Sequence, residues 1–303
     1  MNKLKKAVVI AAKSDSAGSL TAGAAQLAGS VVVISLGGDS CAVNAQRAYC
    51  IQGNSCAPGA VKAIKRIIAD EAPQLVLVEQ SRDGRFIAAM IAAENGVSVL
   101  TDSEELTIGE DGEVCSKRVV YGGKAHKTEH CAADIAVAVV GSGVYRTDAV
   151  TPAAEIIEYN AEGMDGVELI SIEPKPQQRV NLGAARKVVG VGRGIGDQAA
   201  LAKAEAFAQQ LGAEMACTRP VAEESKLMPR ERYVGVTGST IKPELYLALG
   251  ISGVIQHMAG VNSSGTIIAV NKDKNAPIFK QCDYGIVGGL QETIAAISEK
   301  LNK

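Results

Sequence analysis

Short apolar runs at residues 7–12, 31–36, 75–79 and 97–101 are rich in Val, Ile and Leu, and predict parallel strands buried on both faces. Between them lie segments with helical spacing. One runs from a capping Ser16 to residue 28. Another spans 59–71, with Val61, Ile64, Ile67 and Ile68 on one side. A third spans 82–94 and closes at Asn95-Gly96. This alternation predicts a mainly parallel sheet with helices on both faces. From residue 110 the pattern changes. Glu110-Asp-Gly-Glu113 is a turn signal between short strands, and 114–121 with 127–131 predicts an antiparallel pair. Further strands are expected at 135–140, 155–159 and 167–172. The polar segment 173–182, EPKPQQRVNL, has two prolines and no periodicity, and reads as a linker.

A second α/β domain is expected over 183–303, following an N-terminal one over 1–172. Strand 187–191 runs into Gly192-Arg193-Gly194-Ile195-Gly196, and Asp197 caps a helix to residue 211. Strands are expected at 214–218, 233–237, 253–257, 266–271 and 283–287. A short helix is expected at 244–249, stopping at Gly250, and an amphipathic helix at 290–301.

Composition narrows the function. The chain has 303 residues, 47% hydrophobic with 32 glycines, enough for two domains with real cores. It has no Trp and three Phe, so little is available to stack bases. A net charge of −2 leaves no electrostatic footprint for nucleic acid. Cysteines stand at 41, 50, 56, 115, 131, 217 and 282. The odd count and the lack of C-x-x-C spacing suit reduced thiols in a cytoplasmic protein. The N-terminal apolar run is too short for a secretion signal and reads as a first strand, and no stretch has the length of a membrane span.

The polar tips of the second domain's strands carry the chemistry. The glycine run at 190–196 follows a strand and opens a helix, so its amides and Arg193 are placed to meet a pyrophosphate. It departs from the dinucleotide fingerprint, and no acidic ribose ligand ends the next strand, which finishes Cys217-Thr218-Arg219. Thr237 with Gly238, then Gln256 with His257, and Asn271 end further apolar runs where open α/β sheets hold nucleotide cofactors. His126 and His130 precede Cys131, but the segment reads as strand and turn, and no metal site is expected there.

Leu245-Tyr246, Gly250-Ile-Ser-Gly253, Gln256-His257, Gly260 and Ala269-Val-Asn271 resemble the signature of the electron-transfer flavoprotein alpha-subunit family. The resemblance continues over 187–300 and weakens towards the N-terminus. It implies FAD in the C-terminal domain and an N-terminal domain that pairs with a beta subunit. It implies an electron carrier, not an enzyme with net substrate conversion, running from an acyl-CoA dehydrogenase-like donor to a quinone reductase or other acceptor. It assigns flavin tuning to Arg219 over the ring, Thr237 at N5 and His257 donating to O2. Thr218 stands where serine is usual, and Ser252, Gly253, Gln256 and Asn271 complete the contacts. Two residues depart from the pattern: Val236 where many relatives have glutamine, and Gly289 where aspartate is common. The alternatives are an NAD(P)-dependent oxidoreductase, which would show the dinucleotide fingerprint, and a nucleotide-binding regulatory or assembly module with a decayed flavin site.

Overall fold

The structure, a computed structural model, describes residues 3–12, 14–36, 44–52, 57–141, 143–147, 155–161, 170–171 and 182–301. The chain divides into two compact units, Met1–Lys175 and Pro176–Lys303. Most of the expected linker and the strand expected at 167–172 lie outside the described residues.

The first unit is built on a seven-stranded sheet. Its strands are β1 (Leu4–Ala11), β2 (Ala28–Ser35), β3 (Arg47–Gln52), β4 (Leu75–Glu79), β5 (Val99–Ser103), β9 (Ala136–Val140) and β10 (Glu155–Asn160). A separate three-stranded sheet holds β6 (Glu105–Ile108), β7 (Val114–Val120) and β8 (Ala125–Cys131). The large sheet has the order β10-β3-β2-β1-β4-β9-β5, and every pairing is parallel. Alternating side chains feed two cores. Ala7 and Val9 face one with helix α1 (Ser14–Leu27); Val8 and Ile10 face the other with α2 (Ala57–Glu71) and α3 (Arg82–Glu94). Ser81 caps α3, accepting from the Gly84 amide. Strand β3 falls in a stretch where no element was expected, because its alternation is masked by Arg47, Tyr49 and Gln52. Cys50 on β3 is disulfide-bonded, which corrects the expectation of reduced thiols throughout. Cys115, Cys131, Cys217 and Cys282 are free.

The second unit is a five-stranded sheet of β11 (Lys187–Val191), β12 (Glu214–Cys217), β13 (Leu245–Leu249), β14 (Thr266–Asn271) and β15 (Tyr284–Val287). Its order is β12-β11-β13-β14-β15, again with every pairing parallel. Helix α4 (Gln198–Leu211), capped by Asp197 and ended by Gly212 at φ 61, covers one face with α6 (Leu290–Leu301). The other face packs on irregular segments around Val234, Ile241, Met258 and Ile278. The 244–249 segment, expected as a helix, is instead the central strand β13, hydrogen-bonded on both sides. Its Leu-Tyr-Leu-Ala-Leu sequence has ordinary helical propensity, and pairing overrides it. Residues 253–257, expected as a strand, form a loop and the one-turn helix α5 (Ile255–Met258). Residues 233–237 form a tight turn tied by single bridges, Cys217 to Tyr233 and Val234 to Ser239.

Candidate functional site

The strand order of the second unit reverses between β11 and β13. A crevice opens at such a switch point, at the carboxyl ends of the strands. Here the turns after the two strands touch. The Gly192 amide donates to the Leu249 carbonyl at 2.9 Å, and the Gly194 amide to the Gly250 carbonyl at 3.1 Å. A Cβ on Gly192 would lie 2.3 Å from the Gly250 oxygen, so this approach requires glycine. The amides of Ile195, Gly196 and Asp197 also bond backbone carbonyls. The expected anion cradle of backbone amides is therefore mostly spent on building the turn. Among the groups left for a ligand is the Arg193 side chain, exposed beside the crevice and without an ion-pair partner among the described residues.

The crevice deepens into a cavity of about 620 Å³, a size suited to a bound cofactor. Arg193, Thr218, Arg219, Thr237, Ser252, Gln256, His257 and Asn271 all line it. Gly238 and Gly253 do not. A Cβ at Gly238 would lie 2.5 Å from the Tyr233 carbonyl oxygen, and one at Gly253, φ 84, would lie 2.4 Å from the Ile278 amide nitrogen. Both are glycines for backbone packing behind the cavity wall.

Thr218 follows β12, anchored by its amide to the Val191 carbonyl at 3.0 Å. Its side chain is buried, and its hydroxyl has no hydrogen-bond partner. A buried hydroxyl left unpaired is costly; Thr218 lines the cavity, and a rotation about χ1 would bring this closed-off hydroxyl to a polar ligand atom there. Arg219 is exposed and held by Glu223 at 2.5 Å. Thr237 shares a hydrogen bond with the Tyr233 hydroxyl at 3.0 Å. Val236 and Val254, both exposed, give the cavity an apolar wall, and the Val236 amide bonds the Gln256 carbonyl at 2.8 Å.

His257 and Asn271 differ from expectation. The His257 ring is buried, with Nδ1 3.0 Å from the Val234 carbonyl and Nε2 2.8 Å from the Tyr246 hydroxyl. A carbonyl only accepts, so Nδ1 carries the proton and Nε2 accepts from tyrosine. Burial pulls the ring's pKa down from 6.5 to about 4 and keeps it neutral. The N–H expected to reach a flavin O2 is thus committed to the protein in this structure. Gly190 leaves the space for this pair: a Cβ there would lie 1.9 Å from the Tyr246 oxygen. Asn271 donates to the Ile251 carbonyl at 2.9 Å and accepts from the Asp273 amide at 3.0 Å. It braces two cavity loops. At Gly289, where aspartate is common in the family, a Cβ would lie 2.0 Å from the Glu292 carboxylate, which fills that space from the first turn of α6. Cavity residues not anticipated, among them Ile251, Ala276 and Pro277, sit on loops or at the start of the short helical turn Pro277–Lys280, which carry no periodic signal.

A parallel sheet with a cavity at its switch point, flanked by two arginines and an unpaired buried hydroxyl, defines a protein that binds an anionic nucleotide cofactor. Residues 181–262 match the family model of the electron transfer flavoprotein FAD-binding domain, and residues 11–163 that of the electron transfer flavoprotein domain. Protein FixB of Escherichia coli O1:K1 / APEC is 42% identical over 233 residues, covering 75% of this chain and 73% of that protein. Protein FixB of Escherichia coli O139:H28 is 43% identical over 229 residues, covering 74% and 72%. A solved structure of a putative UDP-N-acetylglucosamine 2-epimerase from Listeria monocytogenes aligns with 100% of this chain and 88% of that one, at 11% identity and a TM-score of 0.35. That likeness is too remote to bear on fold or function. The chain belongs to the electron-transfer flavoprotein alpha-subunit family. It is an alpha subunit of that kind, and its cofactor is FAD. The orphaned Thr218 hydroxyl and the Arg193 side chain, without an ion-pair partner among the described residues, fit such a cofactor.

Proposed function

We propose that the cavity at the β11–β13 switch point holds the flavin, and that this chain works as a carrier without net conversion of a substrate. FAD bound there supplies one- and two-electron redox chemistry. The chain's own residues hold, orient and shield it. Arg219, held by Glu223, and the exposed Arg193 place positive charge beside a ring that gains negative charge on reduction, which favours the reduced form, although the Glu223 carboxylate offsets part of the Arg219 charge. Thr218, Thr237, Ser252 and Gln256 offer hydrogen-bonding groups, while Val236 and Val254 exclude water. His257, neutral and tied on both nitrogens, shapes the wall. Asn271 fixes the loops.

In this reading the N-terminal domain, residues 1–172, pairs with a beta subunit, as is usual in the family. The second unit offers a further surface for it. Strand β15 is a sheet edge whose Tyr284, Ile286 and Val287 are exposed, an apolar strip of the kind that partners cover. The family resemblance supports an acyl-CoA dehydrogenase-like donor and a quinone reductase-like acceptor. No helix among the described residues is long and apolar enough to cross a membrane, and the working compartment in this reading is the cytoplasm, which the four free cysteines suit and in which the Cys50 disulfide would be the exception.

The observation that carries the proposal is the unpaired Thr218 hydroxyl. Thr218→Val separates binding from folding, because it removes an unsatisfied buried group while keeping the shape. The complex with the beta subunit should retain less FAD through gel filtration, while unfolding of the FAD-free chain occurs at the same denaturant concentration or a higher one. Unchanged FAD retention places the cofactor elsewhere. A colourless wild-type complex that takes up no added FAD removes the carrier reading altogether.

A further inference from the structure

The three-stranded sheet of the first unit carries a cluster of side chains that the flavin does not use. Its alternation sorts the residues by face. Leu106, Ile108, Val114 and Cys131 pack into or against the core, so Thr107, Cys115 and His130 point the other way. Cys115 and His130 are direct cross-strand partners, and Glu113 lies two residues before Cys115 on the same face. Gly109 opposite has no side chain. A Cβ there would lie 2.7 Å from Glu113 Cγ, and its absence lets the carboxylate fold back over the hairpin.

The three donors converge. His130 Nδ1 lies 3.0 Å from Glu113 Oε1 and 3.4 Å from Cys115 Sγ, and the sulfur and carboxylate oxygen are 4.0 Å apart. A tetrahedral zinc ion, with bonds of about 2.0–2.3 Å, holds nitrogen, oxygen and sulfur ligands about 3.4–3.6 Å from one another. The observed triangle departs from that by less than half an ångström on each edge, within reach of small side-chain rotations. Without a metal, the Nδ1–H and the Cys115 thiol can both donate towards the Glu113 carboxylate; a cation held by all three groups would displace the thiol proton and leave the ring's proton on Nε2. A nucleophile–base–orienter relay is excluded, because thiol and carboxylate meet the same ring nitrogen, not opposite ones.

We propose that Glu113, Cys115 and His130 form a site for a single zinc-type divalent ion, with the fourth position open to water or a partner group. The mixed thiolate, imidazole and carboxylate set selects borderline ions over calcium or magnesium. His130 is half exposed, which leaves the ion a route in. The ion would tie the β6–β7 turn to β8 and stabilise this sheet as its concentration rises.

The test uses the full chain in its FAD-containing complex, treated with chelator and then freed of it. Co2+ is the probe, read from its ligand-field bands to the red of oxidised flavin absorption. One equivalent should bind with the intensity of a tetrahedral site and be displaced by Zn2+. Cys115→Ser and His130→Ala should each weaken binding by more than about 100-fold, beyond the cost usual for a second-shell partner. Glu113→Gln should weaken it less, and Cys282→Ser and His126→Ala should leave it unchanged. Far-UV circular dichroism and FAD content confirm that each variant is folded, and Glu113→Gln carries the test for any that is not. Failure of the wild-type complex to bind Co2+ overturns the proposal, as does binding that the ligand variants leave intact.

Discussion

Tyr246→Phe removes one oxygen from a fully buried ring, and the consequences follow from its single partner. The hydroxyl donates to His257 Nε2 at 2.8 Å, while Nδ1 is already committed to the Val234 carbonyl. In the variant the Nε2 lone pair stays buried without a donor, at a cost of roughly 1–3 kcal/mol. A loss of that size lowers the unfolding midpoint of a unit this large by several degrees. The pH dependence gives a second signature. Burial depresses the His257 pKa from 6.5 to about 4, so the neutral ring's contribution is fully present above pH 6.5 and is lost as pH falls from there through 4. That difference amounts to about 3 kcal/mol at the acid end. Without its tyrosine donor, Nε2 becomes the better proton acceptor and its pKa moves back up. The gap between wild type and variant should therefore be widest near neutrality and narrow on acidification. With no Trp in the chain, urea unfolding is followed by far-UV circular dichroism. The His257 ring resonance is tracked in parallel by NMR, which is tractable with three histidines. Two results refute the reasoning: stability within about 0.5 kcal/mol of wild type at neutral pH, or a gap that grows as pH falls.

Arg193→Ala should release FAD more readily on gel filtration without changing the unfolding midpoint of the FAD-free chain, since its side chain is exposed and makes no ion pair with a described residue; equal flavin content would make the residue incidental. Arg219→Ala should lower the potential of the bound flavin in a redox titration, by an amount that shrinks with added salt because the group is exposed; an unchanged potential would place the ring away from it. Gly253→Ala should destabilise the second unit by more than about 2 kcal/mol, combining a left-handed backbone with a collision against Ile278; a wild-type melting curve would show that the loop adapts.

Much of the second unit was legible because each signal was local. The apolar run Thr266–Asn271 and the amphipathic Leu290–Leu301 need no partner to be recognised, and both occur as expected. Asp197 as a helix cap is likewise written in one residue and its neighbours. Strand β13 was not legible, because Leu-Tyr-Leu-Ala-Leu acquires its conformation from β11 on one side and β14 on the other. The Val-Ile run after Gly253 misled in the opposite sense. Its β-branched residues are exposed, Val254 at 51% and Ile255 at 50%, so they do not belong to the core as a buried strand would.

That error bears on how the cavity is made. A strand ending in Gln256-His257 would have aimed a histidine N–H outward from a sheet edge. The loop that exists turns the ring inward, onto a tyrosine of the central strand eleven residues earlier. Tyr246 in turn has room only because Gly190 on the neighbouring strand lacks a side chain. The glycine run, the tyrosine and the histidine are thus steps in one packing chain that joins β11 to β13 and the wall of the cavity. Residue identities revealed its members in the sequence. Their order became visible only when the switch point brought the two strands side by side, because hydrogen bonds between elements leave no periodic trace.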